Sequence, residues 1–322
     1  MRIGVDIMGG DYAPAAPIEG AILAQEHLGR NVEVVLIGDE SRIRTELQAR
    51  GKSPESFSLF HTDQVIGMEE SPTKSVASKP RSTINVGIGM VGNKQLDGFV
   101  SAGNTGAMLV ASIMGLGKIE GVLRPTIGAF IEIGNGRKAL LCDVGANLDC
   151  KPEVLYQFAI LSKVFLESVH KIDDPRIGLL NVGEEESKGS EVSKAAYALM
   201  KGSERLQFVG NVEGRDIYRG HADGFICDGF TGNILLKFAE SMYELLKSRF
   251  PEDDFIETFN FENYGGVPVL GVKGISIIGH GISTGKAVES MILSAVKAAE
   301  SNLVAKIESA FSSFQSENHI IV

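Results

Sequence analysis

Five apolar runs in this chain end in short polar turns that carry Gly, Asn or acidic residues: 101–106, 143–147, 181–185, 210–214 and 228–233. Side chains of these types hold an oxyanion by hydrogen bonding but bring no strong nucleophile of their own. A helix that begins just after such a turn adds free N–H groups and the positive end of its dipole. The chemistry that fits is the binding of phosphate, or of a carbonyl oxygen gaining charge. Gly and Asn also suit left-handed turn geometry with no ligand at all. The weight therefore rests on the five turns together, with Asp and Glu beside them.

Other spacings point elsewhere and fall short. Gly87-Ile88-Gly89-Met90-Val91-Gly92 matches G-x-G-x-x-G, but a polar stretch precedes it where a dinucleotide site needs a strand. It reads as a short helix whose glycines allow close packing. Gly281-Ile282-Ser283-Thr284-Gly285 matches the nucleophile elbow G-x-S-x-G, yet only His319 follows it, with too little chain to complete a hydrolase. That turn reads instead as a helix start, with Ser283 or Thr284 as cap and Lys286 in the first turn. His280 lies just before it, where a packed, a capping and a catalytic role are all open. Cys142, Cys150 and Cys227 form an odd set with no CxxC spacing, which argues for a reducing compartment and against zinc.

The elements that must position these turns follow from periodicity. Short Val/Ile/Leu/Phe-rich runs predict strands at 3–7, 32–37, 98–101, 138–144, 176–182, 207–211, 224–227 and 275–279. Helical spacing predicts helices over 153–169 and 233–250, and one stripe from 286 to 314. Alternation of this kind predicts a three-layer α/β/α fold with a mainly parallel sheet, in which ligands bind at the C-terminal strand ends. No linker or repeat interrupts the 322 residues, so a single domain over 1–322 is expected. Lys and Arg number 31 against 41 Asp and Glu, a net charge of -10 that argues against a nucleic-acid partner. No apolar run approaches the ~20 residues of a membrane span. The N-terminus enters a strand rather than a signal peptide. A cytoplasmic location is expected.

Read together, several segments resemble the bacterial phosphate acyltransferase (PlsX) family. Val5-Asp6-Ile7-Met8-Gly9-Gly10-Asp11-Tyr12-Ala13-Pro14 is similar to the family's opening signature, with Tyr12 where His is common. Val100-Ser101-Ala102-Gly103-Asn104-Thr105-Gly106-Ala107 is similar to its most distinctive block. Arg124-Pro125 and the turns at 143–147, 181–189, 211–216 and 228–233 follow in the family's order, then Tyr264-Gly265-Gly266-Val267-Pro268 and Gly279-His280-Gly281. The resemblance implies the fold type of isocitrate and isopropylmalate dehydrogenases, a homodimer, and no metal, nucleotide or other cofactor. It implies transfer of a fatty acyl group from acyl carrier protein to inorganic phosphate in phospholipid synthesis. A glycerol-3-phosphate acyltransferase is then a candidate partner.

Phosphate is itself an oxygen nucleophile, so what such an enzyme supplies is position and field. On that basis Ser101, Gly103, Asn104 and Thr105 are expected to cradle phosphate, and Lys188 to supply positive charge. Asn147, Asn181, Asn211 and Asn233 are expected around phosphate or the thioester oxygen. Asp228 would orient one of these or take a proton, and His280, Ser283 and Lys286 would border the entrance. The carrier protein is acidic in the family, so docking needs a local basic patch, with Lys74, Lys79 and Arg81 or Lys118, Arg124, Arg137 and Lys138 as candidates. Many family members carry a longer apolar and basic excursion before the Tyr264 block, thought to touch the membrane and form part of the dimer contact. Here the stretch is short and acidic, Arg249-Phe250-Pro251-Glu252-Asp253-Asp254-Phe255, which argues against membrane contact. The alternative is that Phe250, Phe255, Ile256, Phe259 and Phe261 form a small apolar tip, with peripheral contact at the inner membrane face, or a dimer contact. Rival functions are a short-chain phosphate acetyltransferase acting on coenzyme A thioesters, a decarboxylating dehydrogenase of the same fold, and a non-catalytic scaffold that binds carrier protein.

Overall fold

The computed structural model describes residues 1–133 and 137–317, without the side chains at 261, 262 and 313–317. Phe261 and Phe314 thus lie outside the described side chains, and His319 outside the described residues. The chain gathers into two compact units, Met1–Lys118 with Glu262–Val304, and Ile119–Phe261 with the residues from Ala305 onward.

The first unit opens with β1 (Arg2–Asp6), α1 (Ala15–Leu28), β2 (Glu33–Gly38), α2 (Glu40–Ala49), β3 (Ser58–His61), α3 (Pro72–Ser78), α4 (Thr83–Gly92), β4 (Gly98–Ser101) and α5 (Thr105–Leu116). The second unit follows with β5 (Thr126–Glu132), β6 (Lys138–Cys142), α6 (Pro152–His170), β7 (Arg176–Leu180), α7 (Glu191–Lys201), β8 (Gln207–Val212), β9 (Gly224–Ile226), α8 (Gly229–Arg249) and α9 (Asp254–Glu257). The chain returns to the first unit through β10 (Val267–Leu270), β11 (Ser276–Ile278) and α10 (Gly285–Glu300), and α11 (Leu303–Glu317) runs into the second.

The strands of the first unit lie in the order β3-β2-β1-β4-β11-β10, parallel except for β10 against β11. Those of the second lie in the order β5-β6-β9-β7-β8, parallel except for β5 against β6. Every residue of β4 is buried, as are all but the first of β1, β2 and β6. Strands covered on both faces need unbroken apolar runs, which is why these were plain in the sequence. The mainly parallel α/β architecture is as expected.

Three expectations change. The stripe from 286 to 314 is two helices, broken at Ser301 and at Asn302, whose φ of 53° is left-handed, a conformation that Asn tolerates. The apolar periodicity of α8 does not face the core: Phe238 and Leu245 are exposed, and Leu236 is buried instead. The strands β3, β5 and β10 and several helices fell between the predicted elements.

Candidate functional site

In the first unit, β1, β4 and β11 are in parallel register, so Asp6, Ser101 and Ile278 end at the same edge. Asp6 is buried. Its Oδ1 accepts from Met8 N at 3.0 Å, and its Oδ2 accepts from the Ser101 hydroxyl at 2.7 Å. Ser101 Oγ in turn accepts from Gly103 N at 3.0 Å. Burial pushes the Asp6 carboxyl above its ordinary range, against the pull of the Ser101 and Thr83 hydroxyls and the Met8 and Gly9 amides. A methyl group at Gly9 would come within 2.6 Å of Asp6 Oδ2 and 2.8 Å of Gly103 N, so this close approach requires glycine. Asn104 caps α5, accepting from Ala107 N at 3.0 Å, while its Nδ2 donates to Gly67 O, Met68 O and Glu70 O at 3.1, 3.0 and 3.0 Å. Thr105 is exposed at the start of α5. Thr284, not Ser283, caps α10, accepting from Ala287 N at 3.4 Å. Ser283 is buried and donates its amide to His280 O at 3.0 Å, His280 is half-buried, and Lys286 is exposed. Asp11 N donates to Gly281 O at 2.7 Å, tying the opening signature to this turn.

In the second unit, β6, β9, β7 and β8 run parallel, which puts the other four turns at one edge. Asp143 follows directly on β6, much as Asp6 closes β1. Its carboxylate accepts from Asn147 N at 2.7 Å, Asn147 Nδ2 at 2.9 Å, Ala146 N at 3.1 Å and Ile127 N at 3.4 Å. Burial again raises its pKa, opposed by those donors. Asn147 also donates to Pro125 O at 2.9 Å and accepts from Gly229 N at 2.7 Å through its carbonyl. Asp228 caps α8, accepting from Thr231 N at 2.8 Å and Thr231 Oγ1 at 3.0 Å. This cap takes the Thr231 amide and sets a carboxylate at that dipole end, which disfavours a second anion there. Asn181 Nδ2 donates to Asn211 Oδ1 at 3.0 Å and to Lys188 O at 3.2 Å, and Asn211 Nδ2 donates to Glu185 O at 2.9 Å. The two amides thus clamp the backbone of the 181–189 loop. Lys188 is exposed at its end and makes no ion pair among the described residues. Asn233 is exposed beside Gly145, its amide unbonded among the described residues.

Of the residues expected to act, the fold therefore spends Ser101, Asn104, Asn147, Asn181, Asn211 and Asp228 on shaping turns. It leaves Lys188, Asn233, Thr105 and Lys286 extended into solvent. Asp6 and Asp143 were missed as anchors. Their signal is a carboxylate closing an apolar strand two or three residues before a glycine, in Val5-Asp6-Ile7-Met8-Gly9 and Cys142-Asp143-Val144-Gly145.

Also unforeseen is a cavity of about 630 Å3 at this edge of the second unit. Its walls include Leu180, Phe230, Ile234, Leu235 and Phe238, with Asn181, Ser190 and Asp228 at the polar end. Cys142, Cys150 and Cys227 are buried, and burial pushes the first two thiols up to about 12 and the third up as well. Glu184, Glu213 and Asp216 bring carboxylate oxygens within 4.8 Å of one another, as metal ligands do. Arg215 reaches Glu184 at 3.8 Å and also pairs with Glu213, and Arg219 pairs with Asp216 at 2.8 Å, so guanidinium groups already balance that cluster.

Residues 1–306 match the family model described as fatty acid synthesis protein. A phosphate acyltransferase of Syntrophomonas wolfei is 42% identical over 295 residues, covering 89% of this chain and 91% of the relative. One from Salinibacter ruber is 42% identical over 332 residues, covering 97% and 98%. Among solved structures, a Streptococcus pyogenes phosphotransacetylase aligns with a TM-score of 0.64 at 17% identity, over 93% of this chain and 94% of its own. A 4-hydroxythreonine-4-phosphate dehydrogenase from Burkholderia phymatum aligns with a TM-score of 0.51 at 14% identity, over 93% and 98%. These last two share the fold. The sequence matches run nearly end to end and take in every turn described above: the chain belongs to the phosphate acyltransferase family.

Proposed function

We propose that this phosphate acyltransferase moves a fatty acyl group from the thioester of an acyl carrier protein to inorganic phosphate, in the cytoplasm and as a homodimer. A phosphate oxygen forms the new bond to the thioester carbon. The carbon–sulfur bond breaks, and its electron pair leaves on sulfur as a thiolate, which needs little help because a thiol pKa is near ~8.5. The products are acyl phosphate and free carrier protein. A glycerol-3-phosphate acyltransferase fits as the consumer of that product.

The observation that carries this reading is Lys188. Its ammonium extends from a loop whose backbone is clamped by Asn181 and Asn211, so its base is fixed, and the charge has no ion-pair partner among the described residues. Such a cation attracts phosphate and stabilises the oxyanion of the tetrahedral intermediate. A covalent route through a protein thiol finds no support, since burial disfavours each thiolate. For docking of an acidic carrier protein, the patch of Lys74, Lys79 and Arg81 is weakened: Lys79 pairs with Glu70, and Arg81 with Asp63.

The test is thioester loss from palmitoyl-carrier protein with and without phosphate, beside acetyl-CoA as donor. Phosphate-dependent loss from the carrier protein is expected, falling about a hundredfold in Lys188→Ala. Wild-type turnover in that variant removes Lys188 from the chemistry. Preference for acetyl-CoA indicates the short-chain enzyme, and carrier-protein binding without thioester loss indicates a scaffold.

A further inference from the structure

In the second unit a buried carboxylate and an exposed amide stand at the two ends of one short run of contacts. Asp143 is buried just after β6, and four donors converge on it: Ile127 N and Ala146 N on Oδ1, Asn147 N and Asn147 Nδ2 on Oδ2. A small network that is fully satisfied in this way holds the turn 143–147 in one shape. The turn is in turn joined to the start of α8. The Asn147 carbonyl oxygen accepts from Gly229 N at 2.7 Å, one of the amides that a helix start leaves without an internal partner. A Cβ on Gly229 would lie 3.0 Å from Asp143 Oδ2, and one on Gly232 would lie 1.8 Å from Asp143 O. Backbone meets backbone there, so the start of α8 cannot slide without moving the turn.

Asn233 follows Gly229 by four residues and so shares its side of the helix. Its side chain lies against Gly145, where a Cβ would be 3.6 Å from the Asn233 Cβ, Cγ and Oδ1. Gly145 has a φ of 120°, which favours glycine and keeps this wall flat. The Asn233 amide is thus backed by the turn, while it is exposed and unbonded among the described residues.

We propose that Asp143 is a positioning residue for acyl transfer: its carboxylate fixes the 143–147 turn, and the turn aims the Asn233 amide at an oxygen of the substrate. The assignment deepens the acyltransferase reading and rests on it for the reaction. Asn233 is the group that meets phosphate or the thioester oxygen. Asp143 touches neither and acts through Asn147 and Gly145. An amide that stabilises an oxyanion is effective only while its direction is held, because the gain comes from orientation set before the reaction.

The test is a set of double-mutant cycles in phosphate-dependent thioester loss from palmitoyl-carrier protein, with the folding of each variant checked by circular dichroism. Asp143→Asn keeps the size of the side chain but turns an NH2 group toward two of the donors. It should lower kcat about tenfold and leave the KM values for phosphate and carrier protein within about twofold. In an Asn233→Ala background the same change should cost less than about twofold, since the amide it aims is already gone. In a Lys188→Ala background it should again cost about tenfold. A merely structural role gives one loss in all three backgrounds. That result overturns the assignment, as does wild-type kcat in Asp143→Asn or in Asn233→Ala. Should Asp143→Asn not fold, Asn147→Ala takes its place. It removes the side-chain bonds to Asp143 and Pro125 O, leaves the backbone contacts, and should show the same dependence on Asn233.

A second readout needs no turnover. Cys142, Cys150 and Cys227 are buried, so Asn233→Cys offers a nitroxide reagent an exposed thiol against three shielded ones. Adding Asp143→Asn should make the label at position 233 about twofold more mobile, and unchanged mobility overturns the assignment. If wild type loses no thioester from any donor, the acyltransferase reading fails by itself, while the label still decides whether Asp143 holds position 233.

Discussion

The turn after β4 and the loop after β7 begin from one plan and finish differently. Each stands at the C-terminal edge of a parallel sheet, in a unit where a buried aspartate, Asp6 or Asp143, gathers backbone amides at a strand end. After β4 the hydrogen bonding closes on itself. Ser101 is spent on Asp6 and Gly103, and Asn104 on the α5 cap and three carbonyls of the segment 67–70. After β7 it stops one residue short. Asn181 and Asn211 fix the loop backbone, and the next side chain, Lys188, is left without a partner among the described residues. Residues of similar type thus divide into supports and groups without a partner among the described residues, and we propose that chemistry belongs with the latter. If so, removing a support should cost stability and removing a free group should not.

The largest effect is expected where the second unit is tightest. A Cβ at Gly232 would sit 1.8 Å from the Asp143 carbonyl oxygen, and that neighbour is backbone, which cannot swing aside. Gly232→Val should cost about 3 kcal/mol, as overpacked cores do, seen as a lower urea midpoint. Asp143→Ala should cost nearly as much, about 3 kcal/mol, because it orphans amides buried in the 143–147 turn. Asp6→Ala, which removes the bonds from the Met8 amide and the Ser101 hydroxyl, should cost about 2 kcal/mol. Equal costs would mean that the two anchors are not graded by the donors they satisfy.

A contrast within the expected site comes next. Asn104→Ala removes a helix cap together with three bonds to the segment 67–70 and should cost about 2 kcal/mol. Asn233→Ala and Lys188→Ala touch nothing that holds the fold and should stay within about 0.5 kcal/mol of wild type, read from the same midpoints. A Lys188 variant as unstable as the Asn104 one would make Lys188 a support, and the division above would fail.

That division marks how far the sequence could be read. Buried parallel strands announce themselves by unbroken apolar runs, so 98–101 was predicted to the residue. The strand Ser58–His61 has an exposed end and a short, mixed composition, and it left no such trace. The turns were visible because Gly and Asn punctuate them. Which Asn is a clamp and which is free depends on partners far along the chain: Asn104 meets a segment 34 to 37 residues earlier, and Asn181 meets a residue 30 positions later. The periodicity of α8 was read correctly as a helix, but a period of 3.6 says only that one face is apolar, not what covers it.

The smallest expected effects concern charge, and here a buried carboxylate and a half-buried one should act with opposite sign. Burial raises the Asp6 carboxyl above its ordinary 3.8, so the folded state binds its proton more tightly than the unfolded chain does. Its contribution is complete below pH 3.8 and is lost as pH rises through the folded value. Glu70 is the reverse. Hydrogen bonds from Lys79, the Gly67 amide and Ser75 hold it down at about 2, so what it adds is complete above 4.5 and is lost as pH falls towards 2. Glu70 is solvent-screened, so its effect should shrink further with added salt. Melting temperatures taken across acid pH should therefore separate the two. Asp6→Asn removes a stability loss seen on raising pH above 3.8, and Glu70→Gln removes a smaller, salt-sensitive loss seen on lowering it below 4.5. Same-sign changes in the two variants would mean that the donors to the aspartate beneath the β4 turn outweigh its burial and lower its pKa instead of raising it.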